Sequence, residues 1–274
     1  MSGLASSVVL AHAQAGNATG ADWYTIVGMA AVVSMAVLYA SAAARSTRTG
    51  DYWPLWRSFV FGCGLLVAAS ALFGGVRGSH PDLAGHIGRH LLLMMAVPPL
   101  LLAGQPVQLL LLALPTRRAA ALREILQDPA VRSVTVGPLV RLLLVVDYYG
   151  SMVVFMHTPL LAWATTYRAV HLVTGAYFLV CGFLFWSMIL SAGPPESALP
   201  TRAAIAMLLV GVPVNLLLGL SLLRGVPGVH GAGLPEAAWL TAVGGGTLSI
   251  IGAVLIVARS YRHRTEEDRW LVAS

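Results

Sequence analysis

The sequence predicts an all-α fold, a polytopic membrane bundle of seven transmembrane helices, and three observations carry that prediction. Of its 274 residues, 57% are hydrophobic and only 10% are charged, at a mean hydropathy of +0.78, whereas a soluble domain carries about 25% charge. The apolar residues gather into seven windows of about 20 residues, the length that crosses hydrocarbon as a helix. All seventeen basic residues are arginines, and they fall mainly in the short connections between windows, where basic residues set orientation. The net charge of +6 therefore reads as an orientation signal, and no nucleic-acid partner is expected.

In chain order, residues 1–22 read as a short translocated tail, because the stretch lacks the basic start and the apolar run of a signal peptide. The first two spans cover 23–44 and 53–73, and the third covers 83–103. Within the third, Pro98 and Pro99 each remove an amide donor, so a kink or break is expected there. The apolar run VQLLLLALP beyond Pro106 is too short to cross. It leads into TRRAAALREILQD, which reads as an interfacial amphipathic helix or a plain connection with anchoring arginines. The remaining spans cover 137–158, 169–190, 202–223 and 236–258, and 259–274 is a basic tail. Arginines crowd the first and third loops and the tail, which puts the N-terminus outside and the C-terminus in the cytoplasm. An odd number of spans agrees with this, since it puts the two termini on opposite sides. The domain plan is then the tail 1–22, a transmembrane domain 23–258 and a cytoplasmic tail 259–274.

On this topology seven of the eight histidines lie toward the outer side, and four of them, His86, His90, His157 and His171, stand at helix ends of similar depth. His86, His90 and Met94 are spaced by four residues, which aligns them on one helix face. Met152 and Met156 share a face in the same way, and Met95 adds a further thioether. Imidazole nitrogen with thioether sulfur suits Cu(I), whereas magnesium and calcium require oxygen. Carboxylates are scarce nearby, which argues against a di-iron site. Two other readings stay open: the histidines serve as packing between helices, or His90 pairs with His157 or His171 as the axial ligands of a haem b. Cys63 and Cys181 have no paired spacing and suggest neither a disulfide nor a metal motif. Asp147, inside the fourth span, is either part of a proton or ion path or a polar tie within the bundle. No nucleophile, acid–base pair or nucleotide loop points to an enzyme.

The residues just described resemble the CtaG family of cytochrome c oxidase assembly factors. The resemblance rests on His86 and His90 followed by LLLMMAVPPLLLAGQP, then on His157 and Pro159, His171, and the run Gly182 to Trp186. It covers roughly 79–222. Members of the family commonly repeat the four-residue histidine step after the position of His171, and this sequence has Gly175 there; Arg89 replaces a more usual neutral polar residue. The resemblance implies a multi-pass protein of a bacterial plasma membrane that helps a haem–copper oxidase mature by moving copper toward its site. The expected cargo is Cu(I), held in passing by His86, His90, His157 and His171 with Met94 and Met156 as auxiliary ligands. The expected partners are oxidase subunits, other copper-delivery proteins and membrane lipid. A structural subunit of the oxidase complex without its own metal is the alternative, and a haem-b electron carrier a second.

Overall fold

The structure, a computed structural model, describes residues 23–73, 83–128, 137–190, 199–225 and 233–273, and every element among them is helical. Helix α1 is Trp23–Arg48 and α2 is Leu55–Phe73. The third span begins as α3 (Leu83–Leu91), widens into a π-helical turn (Leu92–Ala96) and continues as α4 (Val97–Ala103). Short helices α5 (Pro106–Ala113) and α6 (Thr116–Gln127) follow. Helices α7 (Pro138–His157), α8 (Leu160–Thr166), α9 (Arg168–Ile189) and α10 (Thr201–Leu223) come next. The last span starts as α11 (Leu234–Trp239), passes through a second π-helical turn (Leu240–Gly245) and ends as α12 (Gly246–Ala273). Among the described residues seven helices are long and apolar enough to cross a membrane. The chain is a multi-pass membrane protein.

The expected break in the third span takes a particular form. In an α-helix, Pro98 and Pro99 would have donated to the carbonyls of Met94 and Met95, and neither proline has an N–H to give. The ladder slips instead into the π-helical turn, where the amide of Val97 reaches back to the carbonyl of Leu92. Helix α4 then starts with the prolines in its first turn, the position that tolerates them. A second interruption falls at Gln105, whose φ of 48° is left-handed. The Tyr39 hydroxyl donates to the carbonyl of Gly104 at 2.6 Å and satisfies one of the groups released there. The run after Pro106 forms an eight-residue helix packed on α1, and the basic stretch after it forms α6, largely exposed. Helix α12 runs on through residues 259–273 with no break at 258, and the predicted tail 1–22 lies outside the described residues.

Two apolar cores share the third span. One face of it, with Ile87, Leu91, Met94 and Met95, packs with α7, α9, α10 and α12. The opposite face, with Leu93, Val97 and Leu101, packs with α1 and α2. Outward-facing apolar side chains such as Leu38, Leu66 and Leu217 remain exposed, which suits a surface solvated by lipid chains. Polar ties cross the bundle: Tyr149 donates to the carbonyl of Met207 at 2.7 Å, and Arg168 at the start of α9 donates to Thr25 near the start of α1.

Helix α9 approaches the π-helical turn closely because it presents Gly182. A Cβ there would run into the carbonyl of Met94 and come to 2.9 Å from the Pro98 ring. Gly182→Ala is therefore expected to destabilise the bundle by about 1–3 kcal/mol, the usual cost of overpacking. Gly182→Leu is expected to abolish the folded species, and thermal unfolding in detergent with near-ultraviolet dichroism checks both.

Candidate metal centre

Three imidazoles from two helices converge at one end of the bundle. His86 and His90 lie one turn apart on α3, and their Nε2 atoms are 3.1 Å apart. His171 enters from the first turn of α9, and one nitrogen from each of the three rings lies within 4.8 Å of the others. His86 and His90 are buried, His90 completely, while His171 is half-buried. No carboxylate or thiol joins the group among the described residues. The donor set is nitrogen alone.

The surroundings are aromatic. The Phe155 ring lies edge-on to His90 at 4.8 Å between centroids, and the Phe178 ring lies 5.1 Å from it on the other helix. The His86 and His171 rings are 5.0 Å apart. With Phe155 and Phe178 fixing its walls, the His90 ring has little freedom to turn. Among the described residues, Nδ1 of His90 and Nδ1 of His171 are buried without a hydrogen-bond partner. An unmet buried polar atom costs about 1–3 kcal/mol. A group able to engage these imidazoles would recover part of that cost.

The other sequence-predicted residues sit differently. His157 closes α7 with its ring exposed, outside the three-histidine group, and its Nδ1 donates to the carbonyl of Val153 at 2.9 Å. That bond puts a proton on Nδ1. Met94 and Met156 are both buried in the core that contains α3, α7 and α9. Met94 falls within the π-helical turn, so the four-residue stripe of His86 and His90 is interrupted at its third member. Phe155 and Phe178 had no sequence signal, since aromatic residues in apolar spans have no periodicity that sets them apart from the rest of the core. Asp147 accepts a 2.5 Å hydrogen bond from the Tyr177 hydroxyl, on α9, away from the histidines.

Residues 37–262, which contain the whole histidine group, match the family described as cytochrome c oxidase caa3 assembly factor, Caa3_CtaG. The chain belongs to that family. This CtaG-family chain is also 28% identical over 265 residues to uncharacterized proteins of Mycobacterium bovis and Mycobacterium tuberculosis, a match covering 89% of the chain and 39% of each relative. It is 30% identical over 208 residues to an uncharacterized protein of Mycobacterium leprae, covering 73% of the chain and 31% of the relative. The chain thus spans about two fifths or less of the length of these curated relatives. No solved structure matches it.

The position where the family resemblance led us to expect a fourth histidine explains its own departure. Gly175 is buried, and a Cβ there would lie 3.2 Å from Leu72 and 3.4 Å from Leu93. A side chain at that site requires the Leu72 and Leu93 methyl groups to give way. Gly175→His is therefore expected to lower stability by about 1–3 kcal/mol without adding to the metal bound per protein, as unfolding curves and metal analysis of the same preparation would register.

Proposed function

We infer that this assembly factor handles Cu(I) for a haem–copper cytochrome c oxidase, without catalysing a reaction, at the outer face of a bacterial plasma membrane. The observation that carries the reading is the convergence of His86, His90 and His171 within 4.8 Å at a largely buried site, with no carboxylate in the group among the described residues. Neutral imidazole suits copper and other late first-row metals. Nitrogens bound at about 2.0 Å to a tetrahedral ion lie about 3.3 Å apart, close to the 3.1 Å between the Nε2 atoms of His86 and His90. His171, less buried than the other two, is the ligand that swings in to close the set. Buried Met94 and Met156 serve as auxiliary thioether donors, which would favour the reduced ion over the oxidised one.

In this reading His157 is a capture residue rather than a member of the resident set. Its exposed ring, held by Nδ1 and so offering Nε2, meets the incoming ion at the outer end of α7 and passes it inward. The cargo leaves by the same end, toward the oxidase component that receives it. A small number of neutral ligands suits such a role, because an ion that must be handed on is better held without the charge neutralisation a thiolate or carboxylate site would add. The haem reading is disfavoured on geometry. Of the two axial pairs offered, His157 is exposed outside the group, and the His90 and His171 rings lie only 5.4 Å apart with Phe155 and Phe178 packed against His90.

Detergent-purified protein loaded with Cu(I) under reducing conditions is expected to hold near-stoichiometric copper and to show no Soret band. His86→Ala/His90→Ala is expected to lose at least about 100-fold in affinity, since even residues that only support metal ligands cost 10–100-fold. An unchanged copper content in that double variant would overturn the reading. His157→Ala is expected to slow loading while leaving the final stoichiometry as in the wild type, and stopped-flow competition with a chromogenic Cu(I) chelator separates the two effects.

A further inference from the structure

Asp147 is the tenth of the 20 residues of α7, and Tyr177 the tenth of the 22 residues of α9. Both stand at mid-span. Asp147 is exposed on the bundle surface, Tyr177 is 45% exposed, and the Tyr177 hydroxyl donates to Oδ1 of Asp147 at 2.5 Å. The neighbouring exposed residues Val146, Val173, Val180 and Leu184 are apolar. This pair is thus a polar spot on a lipid-facing wall, ten residues and about 15 Å along α7 from His157.

An ionisable side chain at that depth is expensive, and such groups ordinarily face a bundle interior, a water-filled cavity or a partner. Among the described residues its own chain gives the Asp147 carboxylate two neutral neighbours, the Tyr177 hydroxyl and the Cys181 thiol, and no basic side chain at this depth. The charge therefore stays exposed toward whatever packs against α7 and α9. A second copy of this chain is a poor occupant. Every arginine with a described side chain lies near an end of its span or in α6, so another copy has no described cation to offer at this depth. A two-fold dimer through this face would also bring carboxylate to carboxylate.

We propose that the exposed Asp147 and Tyr177 face of α7 and α9 is a docking surface for a transmembrane helix of another protein that carries an arginine or lysine at mid-membrane depth. The basic side chain reaches the exposed carboxylate, while Val146, Val173 and Val180 supply the apolar contact around the pair. The two charges then neutralise one another within the hydrocarbon, where neither would stand alone. The proposal rests on the assembly-factor reading only in expecting that helix to belong to an oxidase component.

The test is photocrosslinking of the full chain in native membranes, with a benzophenone amino acid at Val180 and a control probe at Leu38 on α1. The expected product at Val180 is a crosslink to a transmembrane segment of a different protein, with an arginine or lysine near the middle of that segment. Asp147→Asn, which keeps shape and an acceptor but removes charge, is expected to lower its yield about five- to tenfold, and Asp147→Glu to retain most of it. Crosslinks to lipid alone, to a second copy, to a helix without a basic residue at that depth, or a yield unchanged in Asp147→Asn would each overturn the proposal. Copper content measured on purified Asp147→Asn is expected to equal the wild type, with His90→Ala alongside. Failure of the copper reading then appears in the histidine variant and failure of the docking surface in the crosslink.

Discussion

The close approach of α9 to the π-helical turn of the third span sets the distance between the two helices that bear the histidines. It depends on a chain of local causes. Pro98 and Pro99 cannot donate to the carbonyls of Met94 and Met95, the helix widens to accommodate the loss, and Gly182 lets the backbone of α9 lie against the Met94 carbonyl. A helix held this near its neighbour brings the first turn of α9 to the first turns of α3. His171 then reaches the pair on α3, though 81 residues separate it from His90 in the chain. The third span also supplies buried residues to each of the two apolar cores, so its geometry propagates to both.

Burial gives the histidine centre its chemical character. Imidazoles in an apolar setting are disposed to stay neutral, the form that binds a metal, because a charged ring would forfeit its hydration. Phe155 and Phe178 fix the His90 ring, and the unmet Nδ1 atoms of His90 and His171 mark a polar group left incompletely satisfied by the protein itself. Incomplete satisfaction at a buried site is a feature of places that engage something else. His171 is half-buried and in the first turn of its helix, so it is the member of the group nearest to the surroundings.

The polar groups of the bundle divide by depth. The histidines gather at one end, where helix termini meet and a metal ion could enter from water. Asp147 and Tyr177 lie at mid-span on the outer wall, where only another membrane component can reach them. Internal polar contacts are satisfied within the bundle: Tyr149 to the Met207 carbonyl ties α7 to α10, and Asn215 donates to the Gly211 carbonyl one turn back in its own helix. The separation puts the proposed cargo site and the proposed docking face on different surfaces.

The sequence by itself determined the fold class and the number of spans, because the hydrocarbon core demands helices of about 20 apolar residues and the chain holds seven such windows. It also determined that His86 and His90 share a face, since a four-residue step does so in any α-helix. The tertiary structure decided the rest. Only packing could bring His171 into the group and leave His157 exposed outside it, because helix ends at similar depth can still point away from one another. Only packing could turn the proline pair into a π-helical turn rather than a simple kink, and close position 175 to a fourth histidine through Leu72 and Leu93. Asp147 was visible as a costly residue, but whether it faced inward or outward depended on the rotation of α7 against α9, which contacts between distant segments fix and local periodicity does not.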